Sequence, residues 1–230
     1  MLKLEDVTVR NGDFSITAEM TVETGSRVAV IGPSGAGKST LLEAVAGFRD
    51  VPRGRILWDA QELTGLPPGK RPVAMLFQDG NLFPHLSAAQ NVGLGLRPNG
   101  RLTSAELDQV QAALARVGLA DKGAAKPAAL SGGQQSRVAL ARVLVQRRAL
   151  LLLDEPFAAL GPALKSEMLD LVAALAAETG TTLMMVSHDP DDARRICSHA
   201  ILVAEGVAHP PMATVELLDN PPAALRDYLG

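Results

Sequence analysis

Residues 32–40 read Gly-Pro-Ser-Gly-Ala-Gly-Lys-Ser-Thr, and this stretch decides the fold. It follows a short apolar run with β-branched residues, 28–31, and precedes a stretch with helical spacing, 39–48. A buried strand that passes through a glycine-rich turn into a helix begins a βαβ unit, the building block of parallel sheets. The sequence therefore predicts an α/β fold with a parallel sheet at its core.

The spacing of this stretch fits the pattern GxxxxGK[ST] over its full length. Its glycines allow successive backbone N–H groups to point inward, and the helix N-terminus adds a partial positive charge. Lys38 can then reach the β- and γ-phosphates of ATP, and the Ser39 hydroxyl can bind Mg²⁺. A glycine-rich turn that carries a lysine by chance is the alternative, which the flanking strand and helix disfavour. The predicted nucleotide-binding residues of this stretch are Gly32, Pro33, Ser34, Gly35, Ala36, Gly37, Lys38, Ser39 and Thr40.

An acidic pair, Asp154 and Glu155, follows another apolar run, 150–153. In parallel sheets the carboxyl ends of the strands share the edge at which ligands bind. We therefore expect Asp154 to hold Mg²⁺ and Glu155 to polarise the attacking water as a general base or orienting group. An acidic pair at a helix start is the alternative. The presence of two halves of one site in a single sequence favours the metal and water roles.

The composition argues against several function classes. The chain has 230 residues, 22 of them basic and 25 acidic, and only 3% are aromatic, so we expect no nucleic-acid partner. Cys197 is its only cysteine, which rules out an internal disulfide. No apolar run approaches the roughly 20 residues needed to cross a bilayer, so we do not expect the chain to form a pore. Residues 1–10 alternate apolar and charged side chains, and we expect no secretory signal.

The rest of the strand pattern predicts a hairpin and a sheet. Alternating apolar residues over 2–9 and 14–20, joined at Asn11-Gly12, predict two antiparallel strands at the N-terminus. Short apolar runs bounded by polar segments predict buried parallel strands. Besides 28–31, these runs are 73–77, 150–153 and 182–186.

Helical spacing prevails over residues 81–148, and we expect a helical subdomain there, inserted into a single domain that spans residues 1–230. One helix is predicted after a Ser104 cap, and Gly118 closes it. Its predicted buried face consists of Leu107, Val110, Leu114 and Val117. Further helices are predicted from Pro162 to 179–180 and near 214–218.

Leu130-Ser131-Gly132-Gly133-Gln134 precedes a helical stretch rich in Val and Ala, roughly twenty residues before Asp154. Together with the glycine-rich stretch and the acidic pair, this motif resembles the signature of ABC-type ATP-binding subunits, and the resemblance covers essentially the whole chain. Gln78 and His188, each directly after a predicted strand, are similar to the Q-loop glutamine and the switch histidine of that family. Without the other motifs, each of these features is typical of a capped helix start or a surface residue.

The resemblance implies functions for these residues. Gln78 is expected to contact Mg²⁺ or its water and to sense a membrane partner, and His188 to contact the γ-phosphate and hold the water. Two copies are expected to close head to tail, so that ATP lies between the loop of one copy and Ser131, Gly132, Gly133 and Gln134 of the other. The expected partners are a second copy of the chain, an integral membrane permease and, indirectly, a periplasmic solute-binding protein. The expected location is the cytoplasmic face of the bacterial inner membrane.

Within the family, residues 71–78 and 81–96 are most similar to the ATPase subunits of bacterial thiamine importers. Thiamine or its phosphates are therefore the expected solute, although this expectation depends on likeness alone because no residue of such a subunit touches the solute. Three alternatives remain at this point: an importer ATPase for another small solute, an ABC-type ATPase without a membrane partner, and a P-loop kinase. The signature motif disfavours the kinase.

Two positions depart from the family pattern. Members usually carry an aromatic residue near Asn11 that stacks on adenine, whereas Phe14 is the nearest ring in this chain. The segment Ala159-Leu160-Gly161 ends in glycine where the family normally has aspartate. Because glycine carries no carboxylate, communication between the two paired sites is expected to differ.

Overall fold

The computed structural model describes residues 1–12, 14–78, 80–158 and 160–226, together with the helical backbone of 227–229. The strands are β1 (Leu2–Asn11), β2 (Phe14–Val22), β3 (Arg27–Ile31), β4 (Arg53–Trp58), β5 (Gln61–Glu62), β6 (Val73–Leu76), β7 (Leu150–Asp154), β8 (Thr182–Val186), β9 (His199–Ala204), β10 (Val207–Ala208) and β11 (Met212–Ala213). The α-helices are α1 (Lys38–Ala46), α2 (Ala88–Gly93), α3 (Ser104–Arg116), α4 (Gly132–Leu144), α5 (Pro162–Thr179), α6 (Pro190–Ile196), α7 (Thr214–Asp219) and α8 (Ala223–Leu229). Two 3₁₀ turns lie at Pro68–Lys70 and Pro127–Ala129.

The chain divides into two compact units. The first contains Met1–Val73, Ala149–Glu155 and Val172–Gly230, and the second contains Ala74–Arg148 and Pro156–Leu171. None of the helices in the described part of the chain is long and apolar enough to cross a membrane. The assignment of residues 1–230 to one domain stays a prediction.

In the first unit the strands follow the order β5-β4-β1-β2-β10-β9-β3-β8-β7. At one end β1 pairs antiparallel with β2 and with β4. At the other end β3 pairs parallel with β8 and β9, and β7 pairs parallel with β8. The predicted hairpin is therefore present, and so are the predicted parallel strands at 28–31, 150–153 and 182–186. All five residues of β7 and of β8 are buried, as expected for strands covered on both faces.

Two strands of this sheet that are longer than two residues were absent from the sequence prediction. The strand β9 has an apolar run, Ala200 to Ala204, of the kind that predicted the other buried strands, so its signal was present in the sequence. The strand β4 reads Arg-Gly-Arg-Ile-Leu-Trp and is apolar only in its second half. Its place beside β1 depends on pairing with a distant strand, which local pattern does not reveal.

Two predicted helix boundaries were wrong. The helix after the glycine-rich loop ends at Ala46 rather than at 48, because Gly47 adopts the left-handed conformation with φ of 88°. The cap of α3 is Thr103 rather than Ser104, because the Thr103 hydroxyl and the Glu106 side chain close a capping box. Leu107 is 54% exposed and lies off the buried face of α3, which Val110 and Leu114 form.

Helices dominate the second unit, and buried polar side chains hold its connecting loops. Asn91 of α2 is fully buried, and its amide group binds the backbone of Phe83, Leu86 and Ser87. Arg142 of α4 donates to the carbonyl oxygens of Gly80 and Asn81, at 2.6 and 2.8 Å. These bonds satisfy backbone groups that no regular ladder pairs.

Candidate functional site

The glycine-rich loop connects β3 to α1 and is closely packed at two of its glycines. A Cβ atom on Gly32, whose φ is 150°, would lie 2.0 Å from the Val203 carbonyl oxygen. A Cβ atom on Gly37, whose φ is 100°, would lie 2.8 Å from Cε1 of Phe14. Only glycine fits at these two positions. The loop backbone is therefore held against β9 on one side and against the Phe14 ring on the other.

Lys38 is buried at the start of α1 and is held by the loop itself. Its Nζ atom donates to the carbonyl oxygens of Gly32 and Pro33, at 2.8 and 2.9 Å. Desolvation lowers the pKa of Lys38, and the negative charges of Glu155 and Asp154 offset this in part. An ammonium group that is short of water gains most from a nearby anion, and a phosphate supplies one.

The far end of α1 is fixed by Arg71, which sequence reasoning missed. Arg71 is 3% exposed, and its Nη1 atom donates to the carbonyl oxygens of Ala44 and Val45, at 2.8 and 2.9 Å. A cation at the C-terminus of a helix compensates its free carbonyl groups and its macrodipole. Arg71 therefore holds the helix that carries Lys38. The only signal in the sequence was an arginine two residues before a buried strand.

Ser39 and Asp154 meet at the carboxyl edge of the parallel strands. The Ser39 hydroxyl donates to Oδ1 of Asp154 at 2.9 Å. Asp154 is 8% exposed; desolvation raises its pKa, and the hydrogen bond from Ser39 counteracts this. A hydroxyl and a buried carboxylate are hard oxygen donors of the kind that Mg²⁺ prefers. This pair of donors fits the predicted metal.

Glu155 and His188 form the second pair at this edge. Oε2 of Glu155 lies 3.2 Å from Nδ1 of His188, and the Glu155 N–H donates to the Val186 carbonyl oxygen at 3.1 Å. Glu155 has a φ of 43°, a left-handed conformation that is uncommon outside glycine. Strain of this kind is found most often at functional sites. The sheet thus turns a carboxylate and an imidazole toward each other beside Asp154, one of the predicted metal ligands.

The signature segment lies in the second unit at the start of α4. The Ser131 hydroxyl accepts from the Gln134 N–H at 3.3 Å, and the Gln134 carbonyl Oε1 accepts from the Ser131 N–H at 3.0 Å. A Cβ atom on Gly132 would meet nothing within 4 Å, whereas one on Gly133 would lie 2.6 Å from Cδ2 of Leu164. The first residue of the helix, Gly132, therefore presents open backbone, whereas Leu164 packs closely against Gly133.

The structure brings Lys38, Ser39, Asp154, Glu155 and His188 together in the first unit. Gln78 lies two residues beyond β6, in the second unit, with an exposed side chain. The roles predicted for Gln78 and for residues 131–134 stay predictions.

The two positions that depart from the family pattern are Asn11, near which an aromatic residue is usual, and Gly161, where aspartate is usual. Oδ1 of Asn11 accepts a hydrogen bond from Arg49 at 3.1 Å, and Phe14 packs on Gly37. A Cβ atom on Gly161 would meet nothing within 4 Å. Ala159 lies outside the described residues.

The fold and site define a P-loop nucleotide-binding protein: a strand, a glycine-rich loop and a helix, with an acidic residue at the end of a nearby parallel strand. The sequence profile of the ABC transporter family matches residues 17–158. The chain therefore belongs to the ABC transporter family, as its resemblance indicated.

Full-length relatives carry the name of an importer subunit. The chain is 63% identical to "Thiamine import ATP-binding protein ThiQ" of Ruegeria sp. (strain TM1040), over 100% of both chains. It is 57% identical to the protein of the same name from Cereibacter sphaeroides, again over 100% of both.

Solved structures share the fold. The dimeric structure of MJ0796, a bacterial ABC transporter cassette, has a TM-score of 0.82 at 29% identity and covers 93% of this chain and 99% of that one. A post-hydrolysis dimer of the same cassette, bound to ADP and Pi, has a TM-score of 0.81 at 29% identity, with the same coverage. The predicted fold class is confirmed.

Proposed function

We propose that this chain is the ATP-hydrolysing subunit of a bacterial importer and that thiamine, or one of its phosphates, is the imported solute. One observation carries the ATPase assignment: Lys38, Ser39, Asp154, Glu155 and His188 come from three distant segments of the chain and meet at one edge of a parallel sheet. The names of the full-length relatives support the solute and favour an importer over an ABC-type ATPase without a membrane partner.

Each residue at the edge has a task in hydrolysis. The Lys38 ammonium neutralises the β- and γ-phosphates of ATP. Ser39 and Asp154 would hold Mg²⁺, which when bound offsets the charge that develops on the phosphates. The Glu155 carboxylate accepts a proton from the attacking water, or orients that water. His188, hydrogen-bonded to Glu155, holds the water and the γ-phosphate in line.

The site becomes complete with a second copy of the chain. The open N-terminus of α4, with Ser131, Gly132 and Gly133, presents backbone N–H groups and a partial positive charge suited to a phosphate. The dimeric relatives of known structure support a pair of copies. The proposed pair is head to tail, so that this N-terminus faces the partner's nucleotide. Hydrolysis is then expected to rise steeply with protein concentration, because a single copy holds half of each site.

The importer assignment implies further partners. A membrane permease would receive the motion that ATP binding drives, and a periplasmic binding protein would choose the solute. Gln78 is the residue proposed to contact Mg²⁺ or its water and to report nucleotide occupancy to the permease. The chain would act at the cytoplasmic face of the inner membrane.

The decisive experiment replaces Glu155 by glutamine, which removes the proton acceptor and keeps the shape of the side chain. ATP hydrolysis by the transporter complex is expected to fall by at least about 100-fold, the usual contribution of a general base. ATP binding is expected to remain, because Lys38 and the loop are intact. Phosphate release and fluorescent-nucleotide binding measure the two properties.

The same variant tests the solute. In cells that carry Glu155→Gln, uptake of labelled thiamine is expected to be lost while uptake of other labelled solutes continues. Glu216→Gln, at an exposed position on α7, is the matched control and should leave both uptake and hydrolysis unchanged. Unaffected thiamine uptake would refute the solute assignment, and undiminished hydrolysis would refute the role of Glu155.

A further inference from the structure

The backbone around His188 is held on both sides of that residue. Val186, two residues before it, pairs with Asp154 of β7 and accepts a hydrogen bond from the Glu155 N–H at 3.1 Å. The hydroxyl of Ser187, directly before His188, donates to Oδ2 of Asp192 at 2.5 Å. The same hydroxyl accepts from the N–H of Asp189, directly after His188, at 3.1 Å. His188 therefore lies at the centre of a short loop that Ser187 closes.

Asp192 anchors this loop to α6. Ser187 is 4% exposed and Asp192 is 8% exposed, so their hydrogen bond is shielded from water. A short bond from a hydroxyl to a buried carboxylate is charge-assisted and stronger than a neutral one. The N-cap of α6 is Asp189, whose Oδ1 atom accepts from the Asp191 N–H at 3.0 Å. The start of α6 and residues 187–189 thus form one hydrogen-bonded unit.

The His188 side chain itself is 55% exposed. Core packing therefore does not surround the ring, and its distance from Glu155 depends strongly on the position of its backbone. A shift of about 1 Å in a catalytic group is enough to cost up to 100-fold in rate.

We infer that Ser187 and Asp192 are positioning residues for His188: their buried hydrogen bond fixes the backbone that sets His188 against Glu155. The inference depends on the proposed function, because it assigns the pair a role in the hydrolysis that Glu155 and His188 carry out. The pair takes no part in the chemical step and acts only through the position of His188.

The test compares Ser187→Ala with Ser187→Thr, which retains the hydroxyl. In Ser187→Ala the kcat for ATP hydrolysis by the transporter complex is expected to fall about tenfold, with the KM for ATP within about twofold, because positioning acts on the transition state. Ser187→Thr is expected to retain most of the activity. The matched control is Ser198→Ala, which removes another serine hydroxyl beside a histidine, 3.0 Å from Nδ1 of His199, and should leave kcat unchanged.

A spectroscopic readout separates positioning from general damage. The chain has four histidines, so ¹³C labelling of their rings yields a spectrum in which His188 is assigned from its loss in His188→Ala. The His188 signal is expected to shift in Ser187→Ala and to stay in place in Ser198→Ala. If Ser187→Ala does not fold, Asp192→Asn, which keeps an oxygen acceptor, is used instead. It is expected to lower kcat and to shift the His188 signal, in both cases by less than Ser187→Ala would.

A double-mutant cycle decides the mechanism. In a His188→Ala background, Ser187→Ala is expected to cause no further loss of activity, because the group it positions is gone. An equal tenfold loss in both backgrounds, or an unmoved His188 signal, would overturn the inference. A His188→Ala variant with full activity would likewise overturn the inference, because His188 would then have no role to be positioned for. Absence of ATP hydrolysis by the native transporter complex would instead overturn the proposed function, and the two failures are therefore distinguishable.

Discussion

Two helices of the second unit, α3 and α4, begin in nearly the same way, but only the start of α4 is proposed to bind a phosphate. Each has thirteen residues and a complete capping box, formed by Thr103 with Glu106 in α3 and by Ser131 with Gln134 in α4. In both, the cap hydroxyl accepts from the backbone N–H three residues on, and the side chain at that third position accepts from the backbone of the cap. The physics that starts the two helices is the same.

The two helices differ in the residues that carry the first backbone N–H groups and in the charge of the capping side chain. In α3 these positions carry Ser104 and Ala105, and the Glu106 carboxylate, bound by Arg97, supplies negative charge. In α4 they are Gly132 and Gly133, and the capping side chain is the neutral Gln134. A helix start that supplies its own anion is a structural cap, whereas one with bare backbone and a neutral cap is able to accept a phosphate. We expect the second kind to tolerate substitution far less.

The strongest test places a carboxylate at the first position of each helix. Gly132→Asp is expected to lower ATP hydrolysis by about 100-fold, because the carboxylate occupies the N–H groups and repels the γ-phosphate. Folding should be preserved, since a Cβ atom at Gly132 meets nothing within 4 Å. Ser104→Asp is the control on α3 and should leave hydrolysis unchanged. Equal rates of ATP hydrolysis in the two variants would show that the start of α4 is no more a phosphate site than the start of α3.

The caps themselves provide an intermediate test. Thr103→Ala and Ser131→Ala each remove one cap hydroxyl, at a cost of about 1 kcal/mol of the free energy of unfolding. Both should lower the Tm by about 2–4 °C, the shift expected for a chain of this size. Only Ser131→Ala is expected to reduce hydrolysis, by about tenfold, since its hydroxyl and the N–H groups that follow are proposed to face the partner's nucleotide.

Calorimetry and phosphate release check these two effects. A fall in hydrolysis for Thr103→Ala as large as that for Ser131→Ala would show that loss of stability, rather than loss of a phosphate contact, explains both.

The smallest expected effect is a pH dependence found only in α3. Hydrogen bonding to the Thr103 backbone, together with Arg97, lowers the pKa of Glu106 from 4.5 to about 2. Because the pKa of Glu106 is lower in the folded state than in the unfolded state, its ionised form stabilises the fold above pH 4.5. This contribution is lost as the pH falls toward about 2. The Gln134 box of α4 contains no titrating group.

The measurement is urea unfolding of the native chain and of Glu106→Gln between pH 2 and pH 5. The difference between their free energies of unfolding should shrink as the pH is lowered. Gln134→Ala, measured against the native chain, provides the reference, and its difference should stay constant over this range. A difference for Glu106→Gln that does not change with pH would rule out the charged cap.

The sequence predicted α4 more accurately than α3, for a physical reason. A capped helix start was one interpretation of the signature motif, and the structure has that cap at Ser131. In α3 both Thr103 and Ser104 are good capping residues, and only the Glu106 side chain selects between them. The helical spacing also predicted a buried side chain at Leu107, which is exposed in the structure.

By itself the sequence determined the features that depend on neighbouring residues: the glycine-rich loop, the hairpin, the buried parallel strands and the capped start of α4. Only the tertiary structure decided the contacts between residues far apart in the chain. Ser39 and Asp154 are 115 positions apart, and Glu155 and His188 are 33 apart. They meet because β7, β8 and β3 pair in parallel register and their carboxyl ends share one edge. Local pattern marks such residues individually, whereas strand pairing and burial set the distances between them.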